Sequence, residues 1–298
     1  MRRRFVTLDV FTSRRFAGNP LAVVLDAEGL ETEAMQAIAR EFNLAETVLV
    51  LPPQDPAHRA RLRIFTPATE LPFAGHPTVG TAVLLNRLDG GGARDFVLEE
   101  KIGPIPCATA SIDPGRGRAR FQLARLPEPL GEPAARETIA AALGLAPEEI
   151  GFDDFRPSLW SAGISFTFVP VRGLDAIRRC EPRLEHWKAA FARHERSSAY
   201  VFCRETVEAG SAFHARMFAP RLGVYEDPAT GSAAAAFAGA LLRFAPPGDG
   251  EHDTVIEQGF ELGRPSLITL SVAVRDRRLT GAAIGGEAIA VSEGTIDA

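Results

Sequence analysis

The chain has 298 residues, of which 46% are hydrophobic and 24% charged, and its formal net charge is −5. This length suits two domains of ordinary size around separate cores, and the composition is that of a globular protein. The acidic balance excludes the basic surface of a nucleic-acid-binding protein, and no stretch reaches the roughly 20 apolar residues of a membrane span. We therefore expect a cytoplasmic protein with no nucleic-acid or membrane partner.

The first half of the sequence predicts strands with two helices among them. Residues 32–42 have apolar positions at Met35, Ile38, Ala39 and Phe42, a spacing typical of a helix with one buried face. Residues 78–87 are apolar on most sides, which indicates a helix that is buried all round. Alternating and apolar runs predict strands at 5–11, 21–25, 47–51, 60–65, 95–100, 105–112 and 118–123.

The second half follows a proline-rich segment, residues 127–133, which we interpret as a linker. An apolar stretch at 232–244 predicts a second helix that is buried all round. Other patterns predict strands near 158–160, 165–171, 199–204 and 211–218, and helices near 134–143, 174–179 and 183–194.

Two motifs recur in the same order in both halves. The first is Arg63-Ile-Phe-Thr-Pro67, which matches Arg216-Met-Phe-Ala-Pro220. The second is His76-Pro-Thr-Val-Gly-Thr-Ala82, which matches Asp227-Pro-Ala-Thr-Gly-Ser-Ala233 and makes His76 equivalent to Asp227. The shared order indicates two diverged copies of one mixed α/β half, with chance matching in an Ala- and Gly-rich chain as the alternative.

Each copy of the second motif lies at the start of an apolar helix. Proline suits the first turn of a helix, and glycine lets a ligand approach the backbone closely. The free N–H groups of that turn and the helix dipole favour an anion. Two such helices, facing one cleft between the halves, would hold a carboxylate or a developing oxyanion without a metal or a cofactor. Alternatively, both are buried helices with no ligand at their ends.

Three titratable residues lie at the ends of predicted elements. His76 and Asp227 each precede the proline of one motif copy, and Glu46 lies between apolar residues where a helix gives way to a strand. Burial would raise the pKa of Glu46 and suit it to acid–base chemistry at neutral pH. From the residues alone, a loop carboxylate facing water is an equally good interpretation of Glu46.

The three cysteines are Cys107, Cys180 and Cys203. Their spacings match no zinc site or redox motif, so we interpret them as free thiols and expect no metal site.

Several longer segments resemble the signatures of the phenazine-biosynthesis PhzF-like isomerases. The matching motifs run in order from near residue 5 to near residue 290. They are Phe16-Ala-Gly-Asn-Pro20, Phe42-Asn-Leu-Ala-Glu-Thr47, Glu70-Leu-Pro-Phe-Ala-Gly-His-Pro-Thr78, Glu226-Asp-Pro-Ala-Thr-Gly-Ser-Ala233 and Gly259-Phe-Glu-Leu-Gly-Arg-Pro-Ser266.

The resemblance implies an α+β, diaminopimelate-epimerase-like fold with two pseudo-symmetric domains. Each domain would be a bent, barrel-like β-sheet around a central helix, and these helices would be the two apolar ones. We place the first domain at residues 1–124, with the C-terminal segment 280–298 returning to it, and the second at 125–279. The resemblance also implies a homodimer.

The resemblance assigns Glu46 as the catalytic carboxylate that takes a proton from one carbon or returns it to another. His76 and Asp227 would orient the substrate and share its protons. Backbone N–H groups near Gly75, Gly231 and Ser232 would hold the substrate's carboxylate. A further candidate for substrate binding is Asn19, at the start of a strand.

In related amino-acid epimerases and racemases, two facing cysteines act as a two-base pair. None of the three cysteines of this chain matches those places, which argues against two-thiol racemisation. We predict a cofactor-independent isomerase that shifts a proton within a small carboxylate-bearing substrate, either amino-acid-like or cyclic and unsaturated, with Glu46 as the acid/base. Two alternatives stay open: an epimerase or racemase with non-thiol bases such as His76 and Asp227, and a catalytically silent small-molecule-binding protein of the same fold.

Overall fold

The computed structural model describes residues 1–192 and 198–298. The chain forms two compact units, residues 1–124 with 284–298, and residues 125–283. In chain order the described strands and α-helices are β1 (Arg2–Val10), β2 (Asn19–Val24), α1 (Thr32–Phe42), β3 (Glu46–Leu51), β4 (Ala60–Phe65), β5 (Glu70–Leu71), α2 (Gly75–Leu88), β6 (Ala93–Glu100), β7 (Gly103–Asp113), β8 (Arg116–Gln122), β9 (Glu128–Pro129), α3 (Arg136–Leu143), β10 (Ser158–Ser161), β11 (Ser165–Pro170), α4 (Leu174–Arg179), α5 (Leu184–Phe191), β12 (Ala199–Cys203), β13 (Phe213–Ala219), β14 (Val224–Asp227), α6 (Gly231–Phe244), β15 (Gly250–Gln258), β16 (Ser266–Arg275) and β17 (Arg278–Asp297).

The strands of the first unit close into a barrel. Strand β1 pairs antiparallel with β2, β2 parallel with β3, β3 antiparallel with β4, and β4 parallel with β6. Strands β6, β7 and β8 then pair antiparallel in chain order. Strand β17 pairs with both β8 and β1, which completes the ring. A closed ring leaves no unpaired edge among its members.

Helix α2 fills this barrel. Every residue from Gly75 to Asn86 is buried, and the helix contacts six of the barrel strands. A helix that is apolar on all faces has no side to present to water, so it is stable when strands surround it. The predicted buried helix is therefore present, and it begins at Gly75, three residues before the predicted start.

The second unit repeats this order of pairings. Strand β10 pairs antiparallel with β11, β11 parallel with β12, β12 antiparallel with β13, β13 parallel with β15, and β15 antiparallel with β16. Helix α6 has the position of α2, and Phe237 on it contacts a set of aromatic rings. These rings belong to Phe155, Phe168, Tyr200, Phe202 and Phe213. The shared pairing order confirms the predicted duplication.

Strand register fixes how the two copies align. Phe65 on β4 lies opposite Glu70 on β5, and Phe218 on β13 lies opposite Glu226 on β14. Because Phe65 and Phe218 are equivalent in the Arg-x-Phe-x-Pro motif, Glu70 is equivalent to Glu226. In each unit the central helix begins five residues after this glutamate, at Gly75 and at Gly231.

The predicted equivalence of His76 with Asp227 is therefore wrong. His76 is the second residue of α2, and its counterpart is Ser232, the second residue of α6. Asp227 ends strand β14, and its counterpart is Leu71 at the end of β5. The error arose because the prediction matched Gly80 with Gly231, although Gly80 lies within α2. The connection from Phe218 to Glu226 in the second unit is longer than that from Phe65 to Glu70 in the first, and it includes a 3-10 turn at Pro220–Leu222.

Other predicted elements differ at their ends. The predicted linker, residues 127–133, contains β9, which pairs with β10. The helix predicted at 183–194 is α5, Leu184–Phe191, and its predicted end at His194 lies outside the described residues. Strands β15, β16 and β17 are not predicted by the patterns above. No helix within residues 1–192 and 198–298 is both long and apolar enough to cross a membrane.

Candidate active site

Glu46 and Asn19 begin neighbouring parallel strands. Glu46 is the first residue of β3 and lies opposite Leu21 of β2, and Asn19 is the first residue of β2. Because β2 and β3 run in the same direction, both residues lie at the same end of the barrel. The Asn19 side chain is fully buried, and the Glu46 side chain is 18% exposed.

The backbone at Gly18 explains why the Ala-Gly-Asn motif has glycine at its second position. It has φ of +66°, and a Cβ at this position would lie 2.3 Å from the backbone oxygen of Val10. Only glycine takes this conformation at such a close approach without strain. The turn between β1 and β2 therefore depends on Gly18, and it places Asn19 at the strand start.

His76 lies beside Glu46. Its imidazole is buried within the first turn of α2, and Nε2 lies 3.6 Å from Oε2 of Glu46. Burial lowers the pKa of His76 to about 3. At neutral pH Glu46 therefore lies next to a neutral imidazole. A neutral imidazole both donates and accepts a hydrogen bond, so His76 is able to share protons with a ligand as well as with Glu46.

The first turns of α2 and α6 present backbone N–H groups. In α2 these belong to Gly75 and His76, because Pro77 has no N–H. In α6 they belong to Gly231 and Ser232, and no side chain caps either helix. The first N–H groups of a helix lack partners within it, and the helix dipole favours an anion there. The glycines that the sequence analysis named therefore begin the two central helices.

Asp227 is held by a buried hydrogen-bond network in the second unit. Thr230 Oγ1 donates to Oδ2 of Asp227 at 2.5 Å. Gln258 Nε2 donates to the backbone oxygen of Asp227 at 2.7 Å and to Thr230 Oγ1 at 3.0 Å. Gln258 Oε1 also accepts the backbone N–H of Thr230 at 3.2 Å. Both the backbone and the carboxylate of Asp227 are therefore fixed.

Tyr200 lies close enough to Asp227 to be affected by its charge. The phenol is fully buried, and its pKa is raised first by burial and then by the Asp227 carboxylate. Tyr200 therefore stays protonated at neutral pH.

The Gly259–Ser266 motif lies against the Asp227 segment. Gly259 has φ of +79°, and a Cβ there would lie 2.5 Å from the oxygen of Pro228 and 2.6 Å from that of Arg264. A side chain has no room at this position, so glycine is required for the close packing. The motif therefore holds the loop that follows Asp227.

The same bidentate ion pair supports the strand before each central helix. Arg63 donates from Nε and Nη2 to the two carboxylate oxygens of Glu70 at 2.8 and 2.9 Å. Arg216 donates in the same way to Glu226, at 2.8 Å for both bonds. A bidentate pair fixes orientation as well as distance, so it ties β4 to β5 and β13 to β14.

The structure groups the candidate residues by unit. Glu46, His76, Asn19 and Gly75 belong to the first unit, where Glu46 and His76 are brought together. Asp227, Gly231 and Ser232 belong to the second unit, where Asp227 ends the strand before α6.

Sequence reasoning missed Thr230 and Gln258. Thr230 directly precedes α6, and threonine at this position is a common sign of a helix start. This signal was present within the Glu226–Ala233 motif. Gln258 lies 28 residues after Thr230 and reaches it through the pairing of β15 with β13, for which the local sequence has no signal.

The cysteines are buried, and burial is the main cause that raises the pKa of each thiol to about 12. A thiol with so high a pKa holds its proton and is a poor nucleophile. Over residues 1–192 and 198–298, no three His, Cys, Asp or Glu side chains are arranged to hold a metal ion.

Comparison with known proteins gives the family. A family model described as phenazine biosynthesis-like protein, PhzC-PhzF, matches residues 8–294. The chain belongs to this family. It is 54% identical over 298 residues to an uncharacterized isomerase of Mesorhizobium japonicum, covering 99% of this chain and 98% of the relative.

Two further relatives support the PhzF assignment. The chain is 35% identical over 295 residues to trans-2,3-dihydro-3-hydroxyanthranilate isomerase of Pseudomonas aeruginosa, covering 98% of each protein. A crystal structure of the PhzF-family protein of Bacillus anthracis superposes with a TM-score of 0.90 at 28% identity, covering 100% of both chains. These similarities confirm the predicted fold, and the chain is an enzyme of the isomerase class.

Proposed function

We propose that this PhzF-family enzyme shifts a proton within a small carboxylate-bearing substrate, with Glu46 as the acid/base. The main support is the pairing of the partly buried Glu46 with the buried His76, with 3.6 Å between Oε2 and Nε2. A general acid/base must lie within reach of the proton it moves, and such distances often shorten only when the substrate binds. Glu46 is the carboxylate of the pair, and its side chain keeps 18% exposure, which leaves it accessible to a ligand.

A single base fits the duplicated fold better than two equivalent bases. Thr47 lies opposite Phe65, and Ala199 lies opposite Phe218, so the residue equivalent to Glu46 is Ser198. Ser198 has no carboxylate, so it cannot act as a second base equivalent to Glu46. A reaction in which one group removes a proton and returns it elsewhere on the substrate requires only Glu46.

The remaining candidates have binding roles in this proposal. His76, as a neutral imidazole, orients the substrate and exchanges a proton with it. Asp227 accepts hydrogen bonds from a polar group of the substrate. The N–H groups at Gly75, Gly231 and Ser232 hold the carboxylate, and Asn19 contacts the substrate near Glu46.

The substrate class follows from chemistry and from one relative. Helix N-termini favour a carboxylate, and an acid/base next to a neutral imidazole suits a carbon acid activated by a neighbouring unsaturated group. The Pseudomonas aeruginosa relative is named for trans-2,3-dihydro-3-hydroxyanthranilate, a cyclic unsaturated amino acid. We propose a substrate of this class, which includes amino-acid-like and cyclic unsaturated carboxylates.

The test is hydrogen exchange in deuterated water followed by NMR. Trans-2,3-dihydro-3-hydroxyanthranilate and a panel of amino acids are incubated with the wild-type protein. Movement of a double bond supports the proposal. Exchange at one stereocentre with inversion supports an epimerase with non-thiol bases instead, and binding without exchange supports a silent binding protein.

The variant Glu46→Gln tests the catalytic assignment. It keeps the size of the side chain but removes the base, so exchange falls by at least about 100-fold while substrate affinity changes little. Glu41→Gln, which changes an exposed glutamate on α1, is the matched control and keeps wild-type exchange. Wild-type exchange in Glu46→Gln would mean that another residue is the base.

A further inference from the structure

Glu100 is a buried carboxyl group beside the helix that carries His76. It is the last residue of β6, and its side chain is 7% exposed. Oε1 lies 2.6 Å from Oγ1 of Thr78 on α2. Thr78 Oγ1 in turn lies 2.7 Å from the backbone oxygen of Ala74, the residue that precedes α2.

Three oxygens, of Glu100, Thr78 and Ala74, lie in a row, and the hydrogens available to them bear on whether Glu100 is protonated. Each of the two short O···O distances requires one hydrogen. The Ala74 carbonyl has no hydrogen to donate. The Thr78 hydroxyl has one hydrogen, which it donates to the Ala74 oxygen. With the Thr78 hydrogen on Ala74, the second hydrogen comes from Glu100 as a neutral carboxylic acid; an ionised Glu100 would instead accept the Thr78 hydrogen and leave Ala74 with the Thr78 backbone N–H alone.

The other oxygen of Glu100 agrees with this assignment. Oε2 is buried and has no hydrogen-bond partner among the described residues. A buried carboxylate oxygen with no donor is costly, whereas the carbonyl oxygen of a neutral acid is much less so. Burial accordingly raises the pKa of Glu100 to about 8, and only a hydrogen bond donated by Thr78 to the ionised form would act to lower it.

The second unit has a neutral donor at the equivalent place. Arg61 lies opposite Glu99, and His214 lies opposite Glu257, so Glu100 is equivalent to Gln258. The amide of Gln258 donates to the Thr230 hydroxyl at the start of α6. Glutamine has the shape of a protonated glutamate and a permanent donor. In both units the side chain at this strand end bonds a threonine hydroxyl at the start of the central helix, Thr78 within the first turn of α2 and Thr230 directly before α6.

Two of the charged neighbours of Glu100 are paired with other groups. Arg63 pairs with Glu70, and Glu99 accepts from two backbone N–H groups and from His58. Glu100 lines a cavity of about 730 Å³, which Glu28, Arg61 on β4 and Lys101 also line. The remaining titratable neighbour is Cys107 on β7, and burial raises the pKa of its thiol to about 12.

We propose that Glu100 is a positioning residue for His76, which it serves by holding a proton on its carboxyl group and donating it to Thr78. Thr78 then bonds Ala74, and this fixes the turn of backbone that carries Gly75 and His76. Loss of the proton turns the Thr78 hydroxyl toward the carboxylate and leaves the Ala74 oxygen with only the backbone N–H of Thr78, at 3.3 Å. This role rests on the function proposed for His76.

The first test measures the proton itself, without substrate. Infrared spectra at pH 7 are expected to show the C=O band of a protonated carboxylic acid in the wild type. The band disappears in Glu100→Gln and stays in the control Glu41→Gln. Thr78→Val is expected to shift the band, because it removes the hydrogen-bond partner. A wild-type spectrum without this band, or a band unaffected by both Glu100→Gln and Thr78→Val, would overturn the proposal.

The second test follows stability and exchange against pH. The folded pKa of Glu100 is raised from 4.5 to about 8, so its contribution is fully present below pH 4.5 and is lost as pH rises through about 8. The wild type should therefore lose stability relative to Glu100→Gln across this window in urea unfolding. Its exchange rate should also fall above about pH 8, and Glu100→Gln should keep its rate there. Parallel curves for the two proteins would contradict the proposal.

These outcomes separate the two proposals. If Glu46→Gln keeps full activity while the infrared band and the stability difference are present, the assignment of Glu46 fails and the proton on Glu100 stands. If Glu46→Gln is inactive and the band is absent, the proposed function stands and the inference on Glu100 fails.

Discussion

Thr230 connects Asp227 to the interior of the second unit. Its hydroxyl donates to the Asp227 carboxylate and accepts from Gln258, so the direction of both hydrogen bonds is set. Because the Gln258 amide supplies hydrogens, the hydroxyl hydrogen is left for Asp227. Asp227 is therefore held as an acceptor, as a group that receives hydrogen bonds from a substrate must be.

The variant Thr230→Val removes this donor at nearly constant shape. The Asp227 carboxylate and the Gln258 amide each lose a buried partner, and we expect a loss of about 1–3 kcal/mol in the free energy of unfolding. Urea denaturation measures the change, and Thr230→Ser, which keeps the hydroxyl, is the control with little loss. Equal stability of the valine and serine variants would show that the hydroxyl contributes nothing.

At the scale of elements, the two Arg–Glu pairs differ in burial. The side chains of Arg216 and Glu226 are 9% and 5% exposed, against 23% and 21% for Arg63 and Glu70. Arg216 also donates from Nη1 to the backbone oxygens of Ile177 and Cys180. In both units the arginine keeps the short strand, β5 or β14, against its neighbour.

Removing the acid from each pair should have unequal effects. Glu226→Gln removes the bidentate counter-charge of a buried guanidinium, which keeps only Glu261 at 4.0 Å, and we expect a cost of about 3 kcal/mol. Glu70→Gln leaves a partly solvated arginine, and we expect a cost of about 1 kcal/mol or less. Urea denaturation of the two matched variants measures both values. Equal losses, or a larger loss for Glu70→Gln, would contradict the role given to burial.

At the scale of the whole molecule, two buried histidines have pKa values shifted in opposite directions. His76 is neutral, because burial lowers its pKa to about 3. Burial also acts to lower the pKa of His214, but its Nδ1 lies 2.6 Å from Glu257 and its Nε2 lies 3.1 Å from Glu261, and these carboxylates raise the pKa overall. The stability due to His214 is fully present below its unfolded pKa and is lost as pH rises through the folded value.

His76 should account for part of the loss in the free energy of unfolding at acid pH. Between pH 6.5 and about 3, the unfolded chain binds a proton at this residue and the folded chain does not. Lowering the pH in this window therefore favours unfolding, by up to about 1.4 kcal/mol per pH unit for one proton. Relative to the wild type, His76→Gln should lose less stability as the pH falls. The stabilisation due to His214 is fully present in this pH window, so it does not change the slope.

Urea unfolding at several pH values between 6.5 and 3 measures this slope. Other titrating groups are common to both proteins and cancel in the difference between their curves. Identical slopes for the wild type and His76→Gln would mean that the folded protein protonates His76 as readily as the unfolded chain.

Much of the architecture could be predicted from local patterns. Apolar positions all round residues 78–87 and 232–244 predicted two buried helices, and a repeated Arg-x-Phe-x-Pro motif predicted duplication. These features depend on periodicity within one segment, which sequence shows directly. The repeated motif made His76 a candidate, the family resemblance assigned Glu46 as the catalytic carboxylate, and the structure places the two beside each other.

The sequence by itself indicated the two-copy organisation, the two buried central helices and the resemblance to the family. The tertiary structure decided which residues of the two copies correspond, because loops of unequal length shift the numbering between them. It also decided the partners of Asp227 and the contact between Glu100 and Thr78. Those depend on hydrogen bonds between residues such as Gln258 and Thr230, which only the register of paired strands brings within reach.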